Sequence, residues 1–341
     1  MKSKKFPSEL RFDLVSKDWV VIATGRARRP ESFQRITREA ASHTTEIDPF
    51  ESLDNQEPPV AAFYKGKQLK ITPGEIPQKW TTISIPNKYP AFSPNGSAKE
   101  RHIGPYQVLD GIGFHEVVVT KDAEKELPQF STQEARELID MYHARYVSLE
   151  KKDLVNYISI FKNKGPTAGA TVAHPHSQLI ATPVTDPDIQ RSLRGSAEYA
   201  KKHKKCVHCV MLAWDRREKS RIIFENKCMI VVCPFASRVA FEIRIFPSEH
   251  LSHFERINEC QKQCLAQALQ VALKKLYKGL KDPDYNYFLH TAPADKGDHG
   301  HYHWHWEILP RTSNWAGFEL GTGIEISTIE PEKAAAFLCK Q

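Results

Sequence analysis

The chain has no run of about 18 apolar residues, so it is not expected to carry a transmembrane helix. Its first residues, Met-Lys-Ser-Lys-Lys-Phe-Pro, lack the apolar stretch of a secretory signal, which points to the cytoplasm. Nor does it have the even, regularly spaced cysteines of a disulfide framework. There are seven, an odd number, and two of them form the tight pair Cys206-Val-His-Cys209. Reduced thiols with a metal site fit that pattern better. With 40% hydrophobic and 26% charged residues over 341 positions, wholesale disorder is excluded and a large core in two domains or lobes is expected. The net charge of +7 suits an anionic ligand, but scattered Lys and Arg give no argument for nucleic acid.

What is present concentrates in one stretch, Thr171-Val-Ala-His-Pro-His-Ser-Gln-Leu-Ile-Ala-Thr-Pro183. On an extended strand, residues two apart share a face, so His174, His176 and Gln178 project together. Two imidazoles and an amide in a row suit a phosphate or a metal better than a core. The preceding Asn163-Lys-Gly-Pro-Thr-Ala-Gly-Ala170 is a turn of small residues, including Gly169, whose backbone N–H groups can approach an anion. Near the N-terminus, Gly25-Arg-Ala-Arg-Arg-Pro30 reads either as a phosphate clamp through Arg26 and Arg29 or as a solvated basic turn.

The order of elements repeats. The first half reads as a strand at Phe114–Val119 carrying His115, then a helix opened by the capping pair Ser131 and Glu134 and striped by Leu138, Tyr142, Tyr146 and Leu149. A strand at Val155–Phe161, the Gly-containing turn and the His-Pro-His row follow. The second half replays this with a strand at Phe241–Phe246, a helix capped by Asn258 and Gln261 and closed by Gly279, and a strand at Tyr285–His290. A turn at Pro293–Gly300 then leads to His301-Tyr-His-Trp-His-Trp-Glu-Ile-Leu309. The expectation is an α+β protein of two duplicated lobes, residues 1–195 and 196–341, each an antiparallel sheet with a long helix, related by a pseudo-twofold. Lys201-Lys-His-Lys-Lys205 is expected to be an exposed linker.

Cys206 and Cys209 have the spacing that turns two thiolates toward one tetrahedral zinc ion. The second lobe offers His250, with His253 as an alternative, and His301 to complete the set. The corresponding first-lobe set is Asp48, Glu51, His115 and His174, in which carboxylates replace both thiols. That site is either weakened or lost, its histidines bonding to the acids instead.

With His174 held by a metal or a carboxylate, His176 is free to act as a nucleophile at phosphorus. Gln178 can donate to a phosphate oxygen but cannot protonate a leaving group, so the row favours transfer of a nucleotidyl group away from a good leaving group such as a sugar phosphate. His174-Pro-His-Ser-Gln178, Gly25-Arg-Ala-Arg-Arg-Pro30, Asn87-Lys-Tyr-Pro, Phe114-His-Glu-Val-Val-Val, Phe161-Lys-Asn-Lys-Gly and Gly317-Phe-Glu-Leu-Gly-Thr-Gly323 resemble the galactose-1-phosphate uridylyltransferases, a branch of the histidine-triad superfamily. The resemblance spans nearly the whole chain and implies duplicated histidine-triad-like lobes, the N-terminal one catalytic and the C-terminal one holding zinc. It also implies a double displacement. His176 takes UMP from UDP-glucose, Gln178 steadies the group, and galactose 1-phosphate then attacks to give UDP-galactose. Asn163 and Thr171 would contact phosphates, Arg29 and Asn87 would lie near the nucleotide, and a homodimer would complete each site through the partner's segment around Phe318 and Glu319.

Two departures bear on substrate. The first-lobe Cys-x-x-Cys is absent, and the Gly-Phe-Glu-x-Gly-Thr-Gly segment is shared with ADP-sugar phosphorylases, which leaves uracil or adenine open. His303 and His305 repeat the catalytic row, but Asp295 and Asp298 in the preceding turn would repel an anion, so the second lobe is read as structural, with Trp304 and Trp306 in its core. The non-enzymatic alternative is a zinc-stabilised nucleotide-binding protein.

Overall fold

In the computed structural model, residues 8–23, 48–295 and 297–341 are described. Short strands β1 (Glu9–Phe12) and β2 (Trp19–Ile22) pair antiparallel. The rest of the first lobe supplies β3 (Ala61–Tyr64), β4 (Lys67–Gln68), β5 (Thr82–Pro86), a hairpin of β6 (Arg101–Ile103) and β7 (Tyr106–Val108), β8 (Phe114–Thr120), α1 (Thr132–Leu149), β9 (Tyr157–Lys164) and β10 (His176–Thr182). Two helices, α2 (Pro187–His203) and α3 (Val207–Glu218), lead into β11 (Ile222–Glu225), β12 (Met229–Val232), β13 (Ile243–Pro247), α4 (Glu259–Leu280), β14 (Tyr285–His290) and β15 (His305–Pro310). The chain closes with α5 (Gly317–Thr322), β16 (Ile326–Ser327), which pairs parallel to β2, and α6 (Pro331–Cys339).

The two lobes share one 11-stranded sheet, ordered β11-β12-β13-β15-β14-β9-β10-β8-β5-β3-β4. Its centre is the antiparallel pair β9–β14, where Phe161 lies opposite Phe288. The register shows the duplication residue by residue. Gln178 is flanked by Val117 and Phe161, and Glu307 by Arg244 and Phe288. Counting along the strands, His176 corresponds to His305, His174 to His303, Thr120 to Pro247 and His115 to Glu242.

One face of this sheet is covered by α1 and α4, which pack on each other and share a core with Trp304, Trp306, Ile160 and Leu179. Both helices begin with a reciprocal capping box, Ser131 with Glu134 and Asn258 with Gln261, as their sequences predict. The opposite face carries the histidine rows and a smaller core of Phe50, Trp80, Val117 and Val119. Alternation along β10 thus sends Ser177 down to the Tyr142 hydroxyl, 2.7 Å away, and His176 and Gln178 up. Among the described residues no helix is long and apolar enough to cross a membrane.

The segment expected as a linker is different. Asp186 caps the N–H groups of Asp188 and Ile189, Pro187 starts the helix, and α2 runs through Lys201, Lys202 and His203 before Lys204 ends it in a left-handed conformation. The basic run is exposed, but its first three residues are the last turn of a helix, where cations complement the dipole. The division expected after residue 195 falls inside the same helix.

Candidate active site and metal centre

His176 opens β10. Its Nδ1–H donates to the carbonyl of His174 at 2.9 Å, so the lone pair is on Nε2. Burial pushes its pKa below the usual 6.5, against the bond to that carbonyl, and keeps the ring neutral at neutral pH. Phe50 lies 5.6 Å from both His174 and His176, ring centre to ring centre, and fixes the pair laterally. A neutral imidazole anchored at one nitrogen presents the other as a nucleophile.

Gln178 is oriented by a residue expected elsewhere. The backbone N–H of Ala91 donates to Nδ1 of His115 at 3.1 Å, which places that ring's proton on Nε2. Nε2–H then donates to Oε1 of Gln178 at 2.7 Å, leaving the amide NH2 turned outward as a donor. Asn87 packs its amide nitrogen 3.2 Å from the same Nε2 and accepts from the N–H of Tyr89. Asn87, His115 and Gln178 are therefore brought together, His115 diagonal to Gln178 and Asn87 opposite His115.

The phosphate turn is built differently from its expectation. The N–H groups of Ala168, Gly169 and Ala170 bond within the turn, and that of Thr167 bonds to Asp284. They are not open to an anion. Gly165 (φ +81°) is obligatory here, because a Cβ would sit 1.9 Å from Asp284 Oδ1. What the turn leaves available is Asn163, whose Oδ1 accepts from Asn286 at 2.8 Å so that its NH2 remains a donor. Thr171 is exposed beside the row. Arg26 and Arg29 lie outside the described residues. Phe318 and Glu319 sit on α5, where Glu319 accepts from the N–H of Ala316 at 3.1 Å. No described contact joins them to His176 of the same chain. The flanks of α5, Trp315 and Gly323, line a cavity of about 270 Å³ in the second lobe.

The group of the second lobe that could hold a metal ion is Cys206, Cys209, His250 and His303, whose donor atoms all lie within 4.8 Å of one another. His250 donates its Nε2–H to the Gly300 carbonyl at 2.8 Å and His303 donates to that of Pro247 at 3.0 Å. Both Nδ1 atoms are thus unprotonated and face Cys209 Sγ, at 3.4 and 3.6 Å. The hydrogen bond from Cys209 pushes the Cys206 thiol down, against its burial. Two sulfurs and two backbone-anchored imidazoles fit a tetrahedral thiophilic ion. His301, expected as the fourth ligand, is outside the set; it lines an open cavity with Lys204 and Lys205. His303, like His174, is clasped by a backbone carbonyl that aims its Nδ1, whereas the ring of His301 bonds to the backbone of Leu193 and stands outside the group.

The first-lobe set does not assemble. Asp48 Oδ2 lies 2.7 Å from Nδ1 of His174, whose Nε2–H donates to the Thr120 carbonyl at 2.7 Å. Glu51 is exposed and His115 serves Gln178. His115 corresponds in register to Glu242, not to His250. The counterpart of His250, three residues beyond Thr120 as His250 is beyond Pro247, is Ala123. Of the four residues expected there, Glu51 and His115 stand apart, and only Asp48 and His174 meet.

The second lobe's copy of the row borders the cavity beside α5, with His305 and Glu307 in its lining. His305 is buried with Phe246 stacked on it at 4.8 Å, and its Nε2 faces Glu307 at 3.4 Å. Although burial opposes it, Arg244 and Arg238 hold Glu307 well below the usual carboxylate range. A charged carboxylate where the first lobe has Gln178 would repel a phosphate. Trp304 and Trp306 are fully buried beneath this row.

Residues 2–186 match the family model described as Galactose-1-phosphate uridyl transferase, N-terminal domain, and residues 115–341 match one described as a domain of unknown function. The chain belongs to the galactose-1-phosphate uridylyltransferase family. It is a nucleotidyltransferase of that superfamily. Within it, the chain is 32% identical to an ADP-glucose phosphorylase of Arabidopsis thaliana over 96% of its own length and 91% of the relative's. It is 27% identical to a galactose-1-phosphate uridylyltransferase of Thermotoga maritima, over 96% of both. The crystal structure of the Arabidopsis ADP-glucose phosphorylase with bound ADP-glucose superposes with a TM-score of 0.80 at 30% identity, over 98% of this chain and 99% of that one. The family assignment agrees with the strand order, the His-Pro-His-Ser-Gln row and the Cys/His set, which lie in separate lobes of one sheet.

Proposed function

We propose that this member of the family transfers a nucleotidyl group from a nucleoside diphosphate sugar through His176. The observation that carries the reading is the neutral His176 ring, anchored at Nδ1 with Nε2 presented beside an amide whose donor side is fixed outward. In the first step Nε2 attacks the α-phosphorus, the bond to the sugar phosphate breaks, and sugar 1-phosphate leaves unprotonated. In the second, an acceptor oxygen attacks phosphorus and the P–N bond breaks, returning the imidazole. Gln178 and Asn163 donate to non-bridging oxygens, and Asn87 lies next to the same pocket through His115.

The donor is ADP-glucose and the acceptor inorganic phosphate, giving ADP and glucose 1-phosphate. The likeness to a phosphorylase of that substrate over nearly the whole chain supports this choice. Transfer of UMP from UDP-glucose to galactose 1-phosphate is the second reading, supported by likeness to the Thermotoga enzyme. Cys206, Cys209, His250 and His303 bind zinc, which ties α3 to β13 and β15 and supplies no step of the reaction. The protein acts as a homodimer in the cytoplasm, with Phe318 and Glu319 reaching the partner's site.

Incubation with ADP-glucose or UDP-glucose labelled at the α-phosphorus tests the reading. Label is retained by the wild type and by His305→Gln but not by His176→Ala, and phosphate discharges it as ADP. Retention from UDP-glucose alone, discharged by galactose 1-phosphate, selects the second reading. No retention from either donor refutes transfer through His176.

A further inference from the structure

Three of the cysteines outside the Cys206–Cys209 centre meet in space although 32 residues separate the first two. Cys228 stands in the tight turn before β12, and Cys260 and Cys264 lie one turn apart on α4, where positions i and i+4 share a face. Their sulfurs all lie within 4.8 Å of one another, and Cys228 to Cys260 is 3.7 Å. Cys264 is buried, Cys228 half-buried and Cys260 exposed, so the group has a floor and an open side. Buried thiols often pack simply as small apolar groups. That account does not cover Cys260, which points its sulfur at the other two from the exposed first turn of the helix.

The scaffold behind the three is tied by one side chain. Asn226 Oδ1 accepts from the N–H groups of Cys228 and Met229, at 3.1 and 2.9 Å. Its Nδ2 donates to the carbonyl of Cys264 and to Gln267, both at 2.9 Å. The turn carrying Cys228 is thereby held against the helix carrying the other two. Ser248 closes the turn from β13 by donating its N–H to the Cys228 carbonyl at 2.7 Å, and the Asn258–Gln261 capping box fixes the first turn of α4.

We infer that Cys228, Cys260 and Cys264 form a second, all-sulfur site for a thiophilic d10 cation such as Zn(II) or Cu(I). Three thiolates bound at ~2.3 Å to one such ion stand about 3.8–4.0 Å apart; Cys228 and Cys260 already lie 3.7 Å apart and all three sulfurs lie within 4.8 Å. On binding, three S–H bonds ionise and three S–metal bonds form, the protons passing to solvent, with no change of oxidation state. The open side at Cys260 leaves room for water as a fourth ligand on Zn(II), or for none in a trigonal Cu(I) site. This site lies on the helix side of the sheet and shares no residue with the Cys206 centre.

Cadmium is a suitable probe because it binds thiolates and reports their number. The reduced full-length protein is equilibrated with excess Cd(II), cleared of free ion, and counted by native mass spectrometry. Cys260→Ser binds one ion fewer per chain than wild type, and Cys206→Ser loses a different one, so that the double variant loses two. Cadmium NMR of the wild type shows an all-sulfur resonance that Cys260→Ser removes and Cys206→Ser keeps. Asn226→Ala retains the resonance but weakens competition against a chelator about tenfold. Cys260 is exposed, so its serine variant is expected to fold, which near-ultraviolet circular dichroism checks. Equal cadmium content in wild type and Cys260→Ser overturns the assignment. So does a Cys228–Cys260 disulfide in freshly purified protein that excludes the ion.

Discussion

Nδ1 of His174 meets the Asp48 carboxylate at 2.7 Å, in the position where Nδ1 of His303 meets Cys209. In both lobes the other nitrogen is clasped by an equivalent backbone carbonyl, Thr120 in one and Pro247 in the other. The shared requirement is a rigid first histidine, because its own carbonyl holds the ring two residues on, His176 or His305. One lobe meets that requirement with a carboxylate and the other with a group of two cysteines and a second histidine.

Because burial lowers the His176 pKa, activity should not follow an ordinary imidazole titration. The ring attacks only when unprotonated, so kcat/KM should stay level as pH falls through 6.5 and decline only below it. The unfolded chain binds this proton first, so the group's contribution to stability is present above the unfolded value and lost as pH falls through the folded one. Phe50→Ala, which uncovers the ring, should move the acid limb upward toward 6.5. A pH–rate profile of both forms checks this; coincident limbs would contradict it.

His115 acts on the reaction only through Gln178, which makes it a positioning residue. His115→Phe frees the amide to rotate and should lower kcat by about tenfold to a hundredfold, the loss of one or two fixed hydrogen bonds at about 1.4 kcal/mol per decade. Gln178→Glu should cost more, since it replaces the donor with a repelling charge. KM for the nucleotide sugar should change little in His115→Phe. A rise in KM with unchanged kcat would show that His115 binds ground state instead.

The parts of this site that were legible in the sequence are those with a local period. The alternation of His174, His176 and Gln178 gives their shared face, and the repeated strand–helix–strand order gives the lobes. What was hidden depends on register between distant strands. His115 looked like the counterpart of His250 because each stands at an end of the strand before a long helix, but pairing to β10 and β15 aligns it with Glu242. His301 opened the second row by position, yet the signal for His303 was present: it is the first histidine of the pair that repeats His174-Pro-His176. The Cys228, Cys260 and Cys264 group has no motif, since a turn and a helix from opposite ends of β12 and β13 bring it together.

The second lobe's buried charge cluster is where stability should be most sensitive. Arg244 reaches Asp13 at 3.4 Å and both Glu242 and Glu307 at 3.0 Å, all of them buried. Arg244→Met leaves three carboxylates short of a partner in the interior and should destabilise the protein by about 3–5 kcal/mol. By contrast Arg191→Ala, which breaks an exposed pair with Asp188, should cost less than about 1 kcal/mol. Urea unfolding of the two variants measures the difference, and similar midpoints would mean that water reaches the cluster.

The first lobe should accept a metal once its missing ligands are restored. Ala123 stands where His250 stands, and Asp48 and Glu51 keep the two-residue spacing of Cys206 and Cys209. His174 is already aimed by the Thr120 carbonyl. The variant Asp48→Cys, Glu51→Cys, Ala123→His therefore supplies two thiolates and a second imidazole around a preplaced Nδ1, and should bind one ion more per chain than its parent. Asp48→Ala alone should leave metal content unchanged while destabilising the fold by about 1–3 kcal/mol, because His174 Nδ1 loses its partner in a buried position. Elemental analysis with thermal unfolding separates the two effects. A metal content that falls by one in Asp48→Ala would mean that Asp48 ligates an ion in the native protein, and that the hydrogen bond to His174 is not its main role.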